Sequence, residues 1–192
     1  REAQVIYQEV VLPVHLEGAG LQTSFQAMQS GELILAMTDE YGFAGQRMSY
    51  PVTVIEDTTP VIDILSPEPV SQVPDSLMQQ VQIHVRDDYH VQRVLVYTRV
   101  NDKPETDRVG LIWAFTPEAA AEVNGATDFY LSYDWDLTQF NLFPGDTMTF
   151  SLEAWDNDAI HGVKKGRTED YIIQFPTLVD LLKNLDVQEQ EQ

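Results

Sequence analysis

The stretch LEAWDNDAIHG, residues 152–162, sets three side-chain oxygen donors in a row, Asp156, Asn157 and Asp158, between an alternating strand pattern and a glycine. Calcium takes roughly six to eight oxygen ligands, and Asp, Asn and Glu at loop positions supply them. A second acidic group is drawn from Asp39 with Glu40, Glu56 with Asp57, and Asp87 with Asp88. The candidate calcium ligands are therefore Asp156, Asn157, Asp158, Asp87, Asp88 and Asp57. The competing reading is a turn. Asp and Asn side chains accept hydrogen bonds from local backbone N–H groups at strand ends, and Gly42 and Gly162 permit the backbone such turns need. The turn is the preferred reading and calcium its rival, because neither the EF-hand spacing nor the full acidic run of a cadherin linker is present.

Other chemistries find less footing. There is no G-x-S-x-G nucleophile elbow, no H-E-x-x-H zinc pair and no glycine-rich phosphate loop; the GAG at 18–20 lacks a third glycine. His15, His84, His90 and His161 are isolated in sequence and read as surface or turn residues. Trp135 between Asp134 and Asp136, and Trp155 before Asp156, put aromatics beside acids, the composition of a sugar site. A glycosidase also needs two carboxyls at a set separation across a cleft, which a small sandwich rarely builds. The chain has no cysteine, so disulfides, thiol catalysis and thiolate metal sites are excluded. The expectation is a protein without enzymatic activity, with sugar binding as a further alternative.

The elements that would position these residues are β-strands. QVQIHVRDD puts Val81, Ile83 and Val85 on one face, and RVLVYTRV follows as its hairpin or sandwich neighbour. DFYLSYDW alternates Phe129, Leu131, Tyr133 and Trp135 against Tyr130, Ser132 and Asp134. TMTFSLEAW sets Met148, Phe150, Leu152 and Ala154 against Thr149, Ser151 and Glu153, and DYIIQF places Tyr171, Ile173 and Phe175 together. Two segments break the pattern. TPEAAAEV, 116–123, reads as a short helical insertion, and PTLVDLLKNLD starts a C-terminal helix with Thr177 and Asp180 as a near capping box. NLFPGD, 141–146, reads as a type II turn.

A weak repeat links three strand ends: AMTDEYGF (36–43), HVRDDYHV (84–91) and, less closely, AWDNDAIHG. The fold expected is all-β, a tandem immunoglobulin-like or cadherin-like β-sandwich with the helical insertion and the C-terminal helix. Residues 1–57 form a small or partial unit, 58–176 a fuller sandwich and 177–192 the helix start. EDTTP, 56–60, marks the boundary, since Pro60 forces Thr59 into extended backbone.

The net charge is −20, with only 11 Lys and Arg. That excludes nucleic-acid binding, which needs basic surface to displace counterions, and disfavours an anionic membrane. No apolar run approaches the roughly 20 residues of a membrane helix. The chain opens on Arg1 rather than methionine, which reads as a piece of a longer protein with any targeting segment outside it.

DTTPVIDILSPEP, VRDDYHVQRVLVYTRV, LFPGDTMTFSLEAWDND and FPTLVDLL, in that order, resemble a family of uncharacterised bacterial envelope proteins. The resemblance covers about residues 30–182. It implies a membrane-anchored parent with extracytoplasmic immunoglobulin-like repeats, in the periplasm or at the cell surface, followed by long helical regions. It implies no known activity. His90 departs from the family pattern, which has glycine after DDY. The expected role is a scaffold, spacer or protein-interaction module, with a calcium-stiffened adhesion module as the main alternative.

Overall fold

The computed structural model describes residues 2–17, 20–116, 118–119, 126–158, 160–180 and 182. The chain divides into two compact units, Arg1–Glu56 and Asp57–Gln192.

In the first unit, β1 (Glu2–Tyr7), β2 (Val10–Leu12), β5 (Gly31–Thr38) and β6 (Met48–Val52) form one antiparallel sheet in the order β2-β1-β5-β6. β3 (His15–Glu17) and β4 (Gly20–Gln22) make a separate hairpin. Pro51 lies on edge strand β6, where a missing donor costs no ladder bond. Among the described residues, only Val5 and Tyr7 of this unit are fully buried hydrophobics. Tyr7 packs on Phe25, ring centroids 4.8 Å apart, and its hydroxyl donates to the Gln29 carbonyl.

The second unit is a sandwich. β7 (Val61–Ser66), β9 (Met78–Arg86) and β12 (Asp128–Asp136) form the sheet β12-β9-β7. The facing sheet runs β11 (Arg108–Ala114), β10 (Val91–Val100), β13 (Thr147–Asp156), β15 (Tyr171–Gln174), β8 (Val70–Gln72), and β14 (Lys165–Arg167) also pairs with β13. All pairings are antiparallel except β15 with β8. β9 and β10 are consecutive yet lie in opposite sheets, as do β11 and β12, and β12 and β13. That crossing pattern is the immunoglobulin-like one. It also decides between the two expectations for RVLVYTRV: it is the sandwich neighbour of β9, not its hairpin partner.

The alternation read from the sequence becomes the core. Val81, Ile83 and Val85 from one sheet meet Val94, Met148, Phe150, Leu152 and Ala154 from the other, each at most 1% exposed. Trp135 stands edge-on to Phe140 and Phe150 at 5.5 and 5.3 Å. The two core sizes give a first expectation. Buried apolar area drives folding, so calorimetry of the chain should show unit 1 unfolding before unit 2. A single cooperative transition would contradict it.

The turn at Phe143–Asp146 is as expected: the Asp146 N–H donates to the Phe143 carbonyl at 2.9 Å and Gly145 takes φ +92°. Thr116 Oγ1 accepts the Ala119 N–H at 3.1 Å, a cap on the helical insertion, whose residues 117 and 120–123 lie outside the described ones. Thr177 and Asp180 make the reciprocal bonds of a capping box, and Leu178–Asp180 are helical; Leu181 and Leu185 lie outside the described residues.

Candidate functional site

The three strand-end repeats share one local geometry. Asp39 accepts the Tyr41 N–H at 2.8 Å, Asp87 the Tyr89 N–H at 3.3 Å and Asp156 the Asp158 N–H at 3.2 Å. Each is an aspartate closing a turn onto the N–H two residues on. Gly42 (φ +85°) and Gly162 (φ +104°) take the left-handed backbone that those turns use. His90 packs on the Phe115 ring at 4.7 Å, and its φ is not positive, so the sequence departure there leaves the turn intact.

In the second unit the same aspartates also converge in space. Asp57 belongs to the entry segment before β7, Asp87 and Asp88 to the β9–β10 turn, and Asp156 and Asp158 to the end of β13. Lys164, just before β14, reaches into their midst. Its Nζ lies 2.7 Å from Asp57 Oδ2, 2.7 Å from Asp158 Oδ2 and 3.8 Å from Asp156 Oδ2. One oxygen from each of Asp57, Asp87 and Asp88 falls within 4.8 Å of the others. Thus three carboxylates gather around a single ammonium, and Asp87 and Asp88 adjoin the group through Asp57. Asn157 stands exposed beside them.

Each carboxylate is fixed by the main chain or by Lys164. Asp156 Oδ1 accepts the Lys164 N–H at 2.8 Å as well as that of Asp158. Asp158 Oδ1 accepts from the Ile160 and His161 amides at 2.8 and 2.9 Å. Asp88 accepts the Thr58 N–H at 3.2 Å and the Thr58 hydroxyl at 3.0 Å. Next to this, Gly166 of β14 lies against the Pro60 carbonyl so closely that a Cβ has no room. Residues 164 and 166 thereby clasp residues 57 and 60, and Asp88 holds Thr58 between them.

The charges respond in opposite directions. Lys164 and the His161 and Ile160 amides hold Asp158 well below the usual carboxylate range, and Asp158 and Asp57 push Lys164 up. Burial raises Asp57, and the neighbouring Asp88 and Asp156 add to it against Lys164. Burial opposes Asp88 as well, but the Thr58 N–H and hydroxyl outweigh it and hold Asp88 low. Burial pushes Asp87 up to about 6, helped by Asp57, Asp88 and Asp156 and opposed by the Tyr89 amide.

Because the folded pKa of Asp87 exceeds its ordinary value of 3.8, the fold favours the protonated form. That contribution to stability is fully present below pH ~4 and is lost as pH rises through about 6. Asp87→Asn removes the charge. In chelator at pH 7.5 it is expected to raise the melting temperature, and to flatten the decline between pH 4 and 6. Thermal unfolding across that range checks it; an unchanged profile would contradict it.

The remaining sequence candidates are placed elsewhere. His84 Nε2 pairs with Asp128 Oδ1 at 2.8 Å, with its ring stacked on Tyr130 at 4.3 Å; His161 Nδ1 lies 3.4 Å from Asp158; His15 is exposed on β3. Trp135, which the sugar-binding alternative would place on an open face, is a core residue at 2% exposure, on the strand face it shares with Phe129. Trp155 is covered by Arg93 at 4.4 Å and Lys165 at 5.2 Å from its ring centroid. Glu153, on the strand face opposite Leu152 and Ala154, is 2% exposed. Burial alone would raise it, but Tyr97, Lys165 and the Trp155 indole N–H hold it low instead. Lys165 and Arg167 lie across it at 3.2 and 3.6 Å, and Arg167 donates to Ser151, which explains two polar residues buried on the outer face.

Lys164 is the residue that the sequence reading missed. The signal available was the KKGR run at 164–167, which holds three of the 11 basic residues and the chain's one adjacent basic pair.

No family model and no curated protein matches the chain. Among solved structures it is similar to the fibronectin(III)-like modules of Clostridium thermocellum CbhA, at 12% identity and a TM-score of 0.32, over 91% of this chain and 76% of that one. The sandwich described above stands on its own strand pairing, not on that likeness.

Proposed function

We propose that the chain is a non-enzymatic, extracytoplasmic segment of a larger, membrane-anchored bacterial envelope protein, where its immunoglobulin-like sandwich spaces, scaffolds and meets protein partners. One observation carries this reading: the clasp that fastens Asp57–Pro60 onto the body of the second unit. A spacer must keep its entry segment in place under load, and here side chains from two separate turns and the backbone of one strand hold it. The charged cluster is committed to holding. Its carboxylates are engaged by Lys164 or by main-chain N–H groups, where a general acid or base must face a substrate. The resemblance in sequence supports the envelope location and the anchored parent. The positions of Trp135 and Trp155 weigh against a sugar platform, which needs an open aromatic face.

Single-molecule pulling from the chain ends tests the reading. Unit 2 is expected to give way at a higher force than unit 1, and Lys164→Met to lower the unit 2 force alone. Hydrolysis of a glycan, peptide or ester by the intact chain, abolished by Asp158→Asn, would contradict it. So would recovery of the full-length parent from the cytosolic fraction.

A further inference from the structure

An open edge strand offers a row of unpaired N–H and C=O groups, so natural sheets shorten it, charge it, break it with proline or cover it. Here β2, β3, β4 and β8 are three residues long, and β6 carries Pro51. β12 bears the exposed Asp128, Asp134 and Asp136. β7 is met by β14 and β15: Gly166 lies against the Pro60 carbonyl, and the Tyr171 hydroxyl donates to the Ile64 carbonyl at 3.3 Å. β11 is the exception. It runs for seven residues, RVGLIWA, with no proline, lysine or acid, and among the described residues no strand pairs with its outer edge. One bulge, at Ile112, interrupts its register with β10 and leaves residues 108–111 regular.

The face beside that edge has the make-up of a contact surface. Val109 and Leu111 are each 59% exposed. Their register partners on β10 are Tyr97 and Leu95, so the four side chains form an apolar patch across two strands. Arg93 and Arg99 continue the same face of β10 at either end of the patch. Arg99 is held by Asp107 at 2.6 Å, and Lys165 and Arg167 lie on Glu153. Arg93 is exposed over the Trp155 ring, with no salt bridge described. An apolar centre bordered by arginine and aromatic side chains is the composition of a protein interface. Charge selects the partner. β10, β11 and β14 hold five of the 11 basic residues and no acidic one, whereas β7, β9 and β12 hold four acids and one arginine. In a chain of net charge −20, the β11 side is therefore the one of the two sheets that attracts an acidic partner.

We propose that β11 takes up an acidic, extended segment of another protein, which adds to its open edge as a further strand. Main-chain bonds to β11 supply affinity, apolar side chains at alternate positions cover Val109 and Leu111, and a carboxylate answers Arg93. A second copy of the chain is a poor occupant, because two molecules of net charge −20 repel each other. The proposal gives the partner-meeting part of the spacer reading its surface. Pulling tests the spacer and peptide titration the surface, so each can fail alone.

The experiment is titration of the whole chain with a capped synthetic peptide of about ten residues in which Glu and Val alternate, and with its Lys–Val counterpart, read by backbone amide shifts and hydrogen exchange. The Glu peptide is expected to shift the amides of residues 108–114, to slow exchange of those facing the open edge, and to bind more weakly as salt rises. The Lys peptide should bind at least about 10-fold less tightly. Leu111→Glu should weaken the Glu peptide at least about 10-fold by setting like charge against it. Arg93→Glu should narrow the preference for Glu over Lys, while Tyr130→Ser on β12 changes nothing. Equal binding of both peptides, shifts on β12 or β8 instead of β11, or no binding at about 1 mM peptide would overturn the proposal. So would edge-facing β11 amides already protected in the free chain, whether by its own residues or by a second copy in a concentration-dependent dimer. The exchange map of the unaltered chain decides the matter even where Leu111→Glu fails to fold.

Discussion

Lys164→Met is expected to destabilise the second unit far more than Lys103→Met, an exposed lysine for which no salt bridge is described. Removing Lys164 leaves Asp57 and Asp158, at 13% and 6% side-chain exposure, and the fully buried Asp156 without their shared cation. Removing one partner of a buried ion pair costs more than the pair is worth, because the other charge stays desolvated. The loss should depend on pH with a definite sign. Asp158 has its pKa depressed in the fold, so its contribution is present above its ordinary pKa of 3.8 and lost as pH falls below it. The difference between Lys164→Met and the parent should therefore be full at pH 7 and shrink toward pH 3. Chemical unfolding at both pH values measures it. A pH-independent difference would mean that Lys164 acts through its aliphatic stem alone.

Gly166→Ala is expected to cost about 3 kcal/mol, the upper part of the range for forcing an extra methyl into packed structure. The new Cβ meets the Pro60 carbonyl, which is backbone and cannot rotate away. Gly110→Ala is the matched comparison, because its Cβ meets only a Val96 methyl at 3.1 Å, and a side chain can yield. Glycine at 166 thus serves close approach of two chain segments rather than a special φ. Urea unfolding of both variants checks the ranking, and equal costs would show that the entry segment moves freely away from β14.

Much of the architecture was legible because period-two alternation states which side of a strand faces the core. Val81, Ile83, Val85, Met148, Phe150, Leu152 and Ala154 are all where that pattern places them. Local turn chemistry was legible for the same reason: an aspartate and the N–H two residues on are neighbours in sequence. Three things were not legible. The crossing of β9 and β10 into opposite sheets depends on long-range pairing. Burial of Ser151 and Glu153 depends on Lys165 and Arg167 of a three-residue strand that alternation cannot reveal. The gathering of Asp57, Asp156 and Asp158 around Lys164, with Asp87 and Asp88 beside Asp57, depends on where four segments, up to 107 residues apart, end in the fold. Sequence reading divided those acids into two groups; in the second unit they adjoin one another, and Trp135, a sugar contact only in the alternative reading, fills the core from the face that alternation gave it.

The most direct test of the clasp is a double-mutant cycle on Asp57 and Lys164, measured by chemical unfolding of the whole chain at pH 7 in chelator. If Lys164 fastens the entry segment through Asp57, the double variant Asp57→Asn, Lys164→Met loses clearly less stability than the two single losses added together. Strict additivity would contradict the clasp and reduce the Asp57–Lys164 contact to a surface pairing without consequence for the fold.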